Sequence, residues 1–215
     1  MKLTAADLKS RLKPMGVMPV VTVSGEADGL ALADALIAGS LPAIELTLRV
    51  PGAMEALRAV AKSRPGMLVG AGTVRSADQA AECVAAGASF LVSPGFVPEV
   101  AAYAARESIC YLPGTATPTE METARVAGLS FLKLFPAEVV GGRGMLTAVG
   151  QAMPDFSFVP TGGITLDSMA SYLALANVVA VGGSWIASSK DIAGRNWQGI
   201  TANAQAAVFK VSQSR

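Results

Sequence analysis

Short apolar runs alternate along this chain with Ala-rich stretches whose apolar residues recur at helical spacing. The runs are VMPVVTV (17–23), AIELTL (43–48), MLVGAGT (67–73), SFLVSPG (89–95), ICYLPG (109–114), SFLKLFP (130–136), FSFVPTGG (156–163) and VVAVGGS (178–184). Their length, their aliphatic and β-branched content and the Gly and Pro at their ends read as strands. Between them the periodicity predicts helices near 26–38, 51–63, 76–87, 97–107, 117–127, 143–150 and 165–175, a longer one at 196–212, and an extra one opening the chain at 4–13. Ser76, Thr117 and Thr165 are placed as N-caps, and Gly39, Gly87 and Gly128 sit where helices should stop.

Strictly alternating strand–helix units demand a parallel sheet with right-handed crossovers. Eight of them close most simply into a single (β/α)8 TIM barrel with an extra N-terminal helix. An open doubly wound sheet is the structural alternative. No linker or low-complexity stretch divides the chain, so residues 1–215 are expected to form one domain.

Composition narrows the function. The chain is 52% hydrophobic but only 6% aromatic, which points to a large core of Ala, Val and Leu. Net charge is +1, and the basic residues form no stripe, so nucleic acid is not an expected partner. Charges, Gly and Pro interrupt every long apolar stretch, so no membrane-spanning helix is expected, and MKLTAADLKSRLK lacks the apolar segment of a signal peptide. A cytoplasmic location follows as an expectation.

Histidine is absent. That removes Ser-His-Asp and Cys-His catalysis and His-ligated zinc, leaving proton transfer to Glu, Asp, Lys, Tyr or water. Neither a metal nor a cofactor is expected. Cys83 and Cys110 form no CxxC pair and read as buried free thiols.

Active sites of such barrels lie at the C-terminal ends of the strands. Of seven lysines, at positions 2, 9, 13, 62, 133, 190 and 210, only Lys133 falls inside an apolar strand. An ammonium there is costly unless it is paired or its pKa falls, and a neutral amine is what attack on a carbonyl requires. A structural ion pair would explain the same position. Glu45 is the one carboxylate of sixteen within a predicted strand. In ELTLR, alternation puts Glu45, Thr47 and Arg49 on one face, with Leu46 and Leu48 towards the helices. Arg49 could hold a substrate carboxylate through two parallel bonds, and Glu45 could shuttle protons. A self-contained salt bridge of Glu45 with Arg49 or Lys133 is the plainer reading. TGG after the seventh strand and GGS after the eighth suggest a phosphate site, because Gly lets backbone N–H groups approach an anion closely. Gly70-Ala71-Gly72 begins like a dinucleotide fingerprint but lacks its remaining parts, and reads as a tight turn. Met67, Met121 and Met145 read as core filler.

ELTLR, GAGTV, SPGF, LPGTATPTE, FLKLFPAE, PTGGI and VGGSW occur in this order and spacing from about Pro19 to Trp185. Together they resemble the 2-keto-3-deoxy-6-phosphogluconate (KDPG) aldolase family, whose members often also act as 4-hydroxy-2-ketoglutarate (KHG) aldolases. Residues 143–156 and the C-terminal helix match less closely. The resemblance implies a class I aldolase with Lys133 as the Schiff-base lysine and Glu45 as the proton shuttle. It implies that Arg49 and Thr73 hold the pyruvyl carboxylate, that Thr161 and Pro94 orient the substrate, and that Gly162, Gly163, Gly183 and Ser184 lie at the phosphate. It further implies a phosphorylated 2-keto acid substrate, metal-free chemistry and a homotrimer. The alternatives are an aldolase for the 6-phosphogalactonate epimer, a phosphosugar isomerase or epimerase, and a non-catalytic phosphate-binding barrel.

Overall fold

The structure, a computed structural model, describes residues 2–213. Eight strands pair in parallel: β1 (Val17–Val21), β2 (Ala43–Thr47), β3 (Leu68–Gly72), β4 (Phe90–Ser93), β5 (Cys110–Thr115), β6 (Phe131–Leu134), β7 (Ser157–Phe158) and β8 (Val181–Gly183). Their order is β7-β6-β5-β4-β3-β2-β1-β8. The ends of this sheet meet: Phe158 bridges Val178, Thr161 bridges Gly182, and Gly182 N donates to Pro160 O at 2.8 Å. The result is a TIM-like α/β fold.

The strands are shorter than the apolar runs that announce them. The seventh run, 156–163, contributes a ladder of only Ser157–Phe158. Pro160 has no N–H to donate, so pairing resumes beyond it as a single bridge at Thr161. β2 stops at Thr47, which leaves Arg49 beyond the ladder and exposed on the rim rather than inside the barrel.

The helices are α1 (Ala5–Met15), α2 (Glu26–Ala38), α3 (Ala53–Ser63), α4 (Ala77–Ala85), α5 (Pro98–Glu107), α6 (Pro118–Val126), α7 (Gly142–Ala152), α8 (Leu166–Leu173), α9 (Ser189–Ala193) and α10 (Trp197–Ser212). Ser76, Thr117 and Thr165 cap α4, α6 and α8, with Glu120 and Ser168 completing the boxes at α6 and α8. Gly39 ends α2 without a left-handed turn; a Cβ there would lie 2.5 Å from Ala204 Cβ, so it is contact with α10 that requires glycine. The short α9 was not anticipated, since five residues cannot display a helical period.

Strand alternation divides the core into two layers. Ile44, Leu46, Val69, Ala71, Leu91, Tyr111, Leu132 and Leu134 point outward and pack against the helices. Met18, Ala43, Leu68, Phe90, Val92, Cys110, Leu112, Phe131 and Val159 fill the interior. α1 closes one end of that interior. Thr4 and Asp7 form its capping box and Gly16, at φ +66, terminates it, so Leu8 and Leu12 sit with Leu3 inside the inner cluster. Leu3 is itself fixed by backbone bonds to Ser89 and Cys110, at the starts of β4 and β5.

Candidate active site

The barrel interior changes character towards the C-terminal ends of the strands. Of the buried polar side chains, Glu45, Thr47, Ser93, Thr115, Lys133 and Thr161 all lie at that end, with Ser89 at the other. Lys133 and Glu45 project inward from β6 and β2, opposite walls of the barrel. Lys133 Nζ donates to Glu45 Oε1 at 3.1 Å and approaches Oε2 at 3.4 Å, and both residues are at most 3% exposed. The glycines around them are spatial requirements. A Cβ on Gly72 would lie 2.5 Å from Glu45 Oε1, and one on Gly114, beside Lys133 in the β5–β6 register, 2.1 Å from Pro94 O. This explains the GAG of strand three better than any cofactor loop does. The Phe135 ring centroid lies 5.4 Å from Lys133 Nζ, an apolar wall beside the amine.

Arg49 Nε donates to Thr73 Oγ at 3.2 Å, so these two predicted partners do meet, on neighbouring strand ends. Thr73 is held at φ +64, an unfavourable conformation for a β-branched residue that costs about 1–3 kcal/mol and is typically found where function fixes the backbone. Arg49 and Ser184 line one cavity of about 310 Å³ together with Val20, Thr22, Thr47 and Ser188. Thr161 packs against Gly182, where a Cβ would lie 2.1 Å from its hydroxyl oxygen. Gly162 and Gly163 both adopt positive φ, +106 and +82, so backbone conformation alone demands glycine there. Gly183 lies within β8 opposite Pro19, its missing side chain directed at Val17 and Ile186; of the GGS triplet only Ser184 reaches the rim cavity. Pro94 sits half-buried just past β4.

Three neighbours escaped the sequence reading. Thr22 forms a hydroxyl–hydroxyl bond of 2.6 Å with Thr47, and its place in VMPVVTV, in phase with Met18 and Val20, was a usable signal. Thr115 stands at a strand end just past ICYLPG, where a lone Thr names no role, and Phe135 carried no signal, since a lone Phe in an apolar run reads as core. Burial pushes both thiols, Cys83 and Cys110, up to about 12, so neither is a nucleophile near neutrality. Among the described residues, no group of three or more His, Cys, Asp or Glu side chains could hold a metal ion, and no helix is long and apolar enough to cross a membrane.

A buried amine bonded to a buried carboxylate, below a rim that carries a guanidinium and hydroxyls, has the parts for covalent addition of a lysine to a carbonyl. The comparisons with known proteins make this specific: the chain belongs to the KDPG and KHG aldolase family, whose model matches residues 8–203. It is 42% identical over 194 residues to the 2-dehydro-3-deoxy-phosphogluconate aldolase of Treponema pallidum, covering 90% of this chain and 92% of that protein. It is 37% identical over 208 residues to the KHG/KDPG aldolase of Escherichia coli K12, covering 97% and 98%. Among solved structures, the KDPG aldolase of Legionella pneumophila, with pyruvate captured at low pH as a covalent carbinolamine, superposes with a TM-score of 0.89 at 38% identity, covering 92% of this chain and 96% of that one.

Proposed function

We propose that this protein is a class I aldolase that reversibly cleaves 2-keto-3-deoxy-6-phosphogluconate to pyruvate and glyceraldehyde 3-phosphate, and also 4-hydroxy-2-ketoglutarate to pyruvate and glyoxylate. The observation that carries the reading is the buried Lys133–Glu45 pair at 3.1 Å. Inside a barrel core, a salt bridge is weak evidence for stability, because desolvation offsets much of the Coulomb attraction. A lysine kept dry beside a proton acceptor is suited to imine chemistry.

In the proposed cycle Lys133 Nζ, having passed a proton to Glu45, adds to the C2 ketone. Glu45 returns the proton as the carbinolamine loses water, leaving an iminium. Glu45, directly or through one water, then takes the proton of the C4 hydroxyl. The C3–C4 electron pair moves into the iminium, the aldehyde leaves, and an enamine remains. Protonation at C3 and hydrolysis release pyruvate and restore the amine. Arg49 and Thr73 hold the keto-acid carboxylate and so set the direction of attack. Thr161 and Pro94 orient the aldehyde half, with Gly162, Gly163, Gly183 and Ser184 around the phosphate. No cofactor takes part. A homotrimer, a cytoplasmic location and the lack of nucleic-acid or membrane partners belong to the same reading.

The test is pyruvate release from KDPG, from its galactonate epimer and from hydroxyketoglutarate, each with and without EDTA. The account expects cleavage of KDPG that EDTA does not diminish. Failure to cleave any of the three, or loss of activity to the chelator, contradicts it.

A further inference from the structure

Glu138 and Tyr172 have no part in that cycle, yet they join the Lys133 strand to the TGG turn. The segment after β6 lies along the turn through two backbone bonds, Ala137 N to Thr161 O at 2.8 Å and Glu138 N to Gly162 O at 3.1 Å. The Glu138 side chain then crosses Gly163 so closely that a Cβ there would lie 2.6 Å from Glu138 Cγ. Its carboxylate accepts a 2.6 Å bond from the hydroxyl of Tyr172. Tyr172 is 1% exposed and sits on α8, the helix that begins just after the TGG turn. The start of α7 packs against the same phenol oxygen, since a Cβ on Gly142 would lie 2.5 Å from it. Burial first, and the bond to Glu138 second, raise the phenol's pKa, so it remains a donor at neutral pH. The Tyr172 side chain thus ties α8, and the turn before it, to the segment after the lysine strand, with the start of α7 packed against its phenol.

We infer that the Glu138–Tyr172 bond is a positioning tie that holds the Gly162–Gly163 turn at a fixed distance from Lys133 and so sets how well the enzyme accepts phosphorylated over unphosphorylated keto acids. The inference rests on the proposed phosphate role of that turn. Neither residue touches the amine; Lys133 is anchored on its own strand and by Glu45. Loosening the tie lets the turn drift while the imine chemistry stays intact. It is the position of the carboxylate that matters, since a negative charge beside a phosphate site would by itself weaken anion binding.

The test uses Tyr172→Phe, which keeps the buried ring, together with Glu138→Ala and Glu138→Gln, the last keeping an acceptor oxygen. KDPG cleavage reports on the phosphorylated substrate. Deuterium exchange into the pyruvate methyl group reports on Lys133, Glu45 and the carboxylate partners Arg49 and Thr73 without the phosphate turn, since the enamine is reprotonated at C3. The expected result is a KM for KDPG raised roughly tenfold in Tyr172→Phe and Glu138→Ala, with kcat within about twofold and pyruvate exchange unchanged. Glu138→Gln stays near wild type. Equal losses on KDPG and on pyruvate exchange, or no change in Tyr172→Phe, overturn the tie. Tighter KDPG binding in Glu138→Gln overturns it too, because the carboxylate then acts through its charge. Failure of the aldolase reading itself is distinct: wild type would then show neither cleavage nor exchange.

Discussion

The two ends of the barrel interior are built from the same strands and do opposite things. At the end where the strands begin, Leu3, Leu8 and Leu12 pack onto Met18, Leu68, Phe90 and Phe131, an apolar plug with α1 as its lid. At the end where they finish, alternation places Glu45, Thr47, Lys133 and Thr161 on the same inward face. A few residues along a strand separate Phe131 from Lys133 and Ala43 from Glu45. Burial is nearly complete at both ends, so water exclusion is shared and chemistry is local. The plug gives the barrel its rigidity, and the polar end uses that rigidity to hold an amine and a carboxylate in contact without solvent.

Substitutions at the two ends should therefore separate activity from stability. The largest effect is expected at the polar end. Lys133→Met removes the nucleophile and should lower kcat/KM by at least about 10⁴-fold, read by pyruvate release, while circular dichroism reports a folded chain. Glu45→Gln should cost about 10²–10⁴-fold in kcat, the usual range for a lost general acid–base group. Leu12→Ala in the plug should do the reverse, lowering unfolding free energy by about 2–5 kcal/mol with kcat at low temperature unchanged. A loss of turnover at Leu12 equal to that at Glu45 would mean that the two ends are not independent.

Arg49→Ala sharpens the comparison at the rim. Loss of a charged hydrogen bond to the keto-acid carboxylate is expected to raise KM by about tenfold to a hundredfold, measured with KDPG. A KM unchanged by the substitution would leave Arg49 as a partner of Thr73 only.

The smallest effect belongs to the surface of the shell. Bonds from Ser188 and then Asn196 lower the carboxyl pKa of Asp191 below its ordinary 3.8, and Thr4 does the same for Asp7. Because these folded-state values are depressed, the stabilisation is present above the unfolded value and is lost as pH falls through the folded one. Asp191→Asn should lower the melting temperature slightly at pH 7 and leave it little changed well below about pH 4, where the wild-type carboxyl is already protonated, so that the acid limb flattens; an equal loss at both pH values would contradict the titration.

The order of strands and helices was legible because a parallel barrel repeats one pattern: an apolar strand, a cap, an amphipathic helix, a glycine. Lys133 and Glu45 were legible for a related reason, being charges in strands that should be wholly apolar. What the pattern could not reveal depends on contacts across the barrel. Strand ends are one case: Arg49 continues the alternation of ELTLR, but the ladder stops at Thr47, so the guanidinium turns outward to Thr73. Gly72 and Gly114 are another, since only the structure shows that they clear space for Glu45 and for the Pro94 carbonyl. The bond between Tyr172 and Glu138 spans 34 residues, so no local pattern announces it.

The most direct test of the central claim is borohydride reduction in the presence of pyruvate, followed by peptide mass spectrometry. The account predicts a reduced pyruvyl adduct on the peptide carrying Lys133 and on no other lysine. An unmodified Lys133 in folded protein, or an adduct on a surface lysine alone, would contradict it.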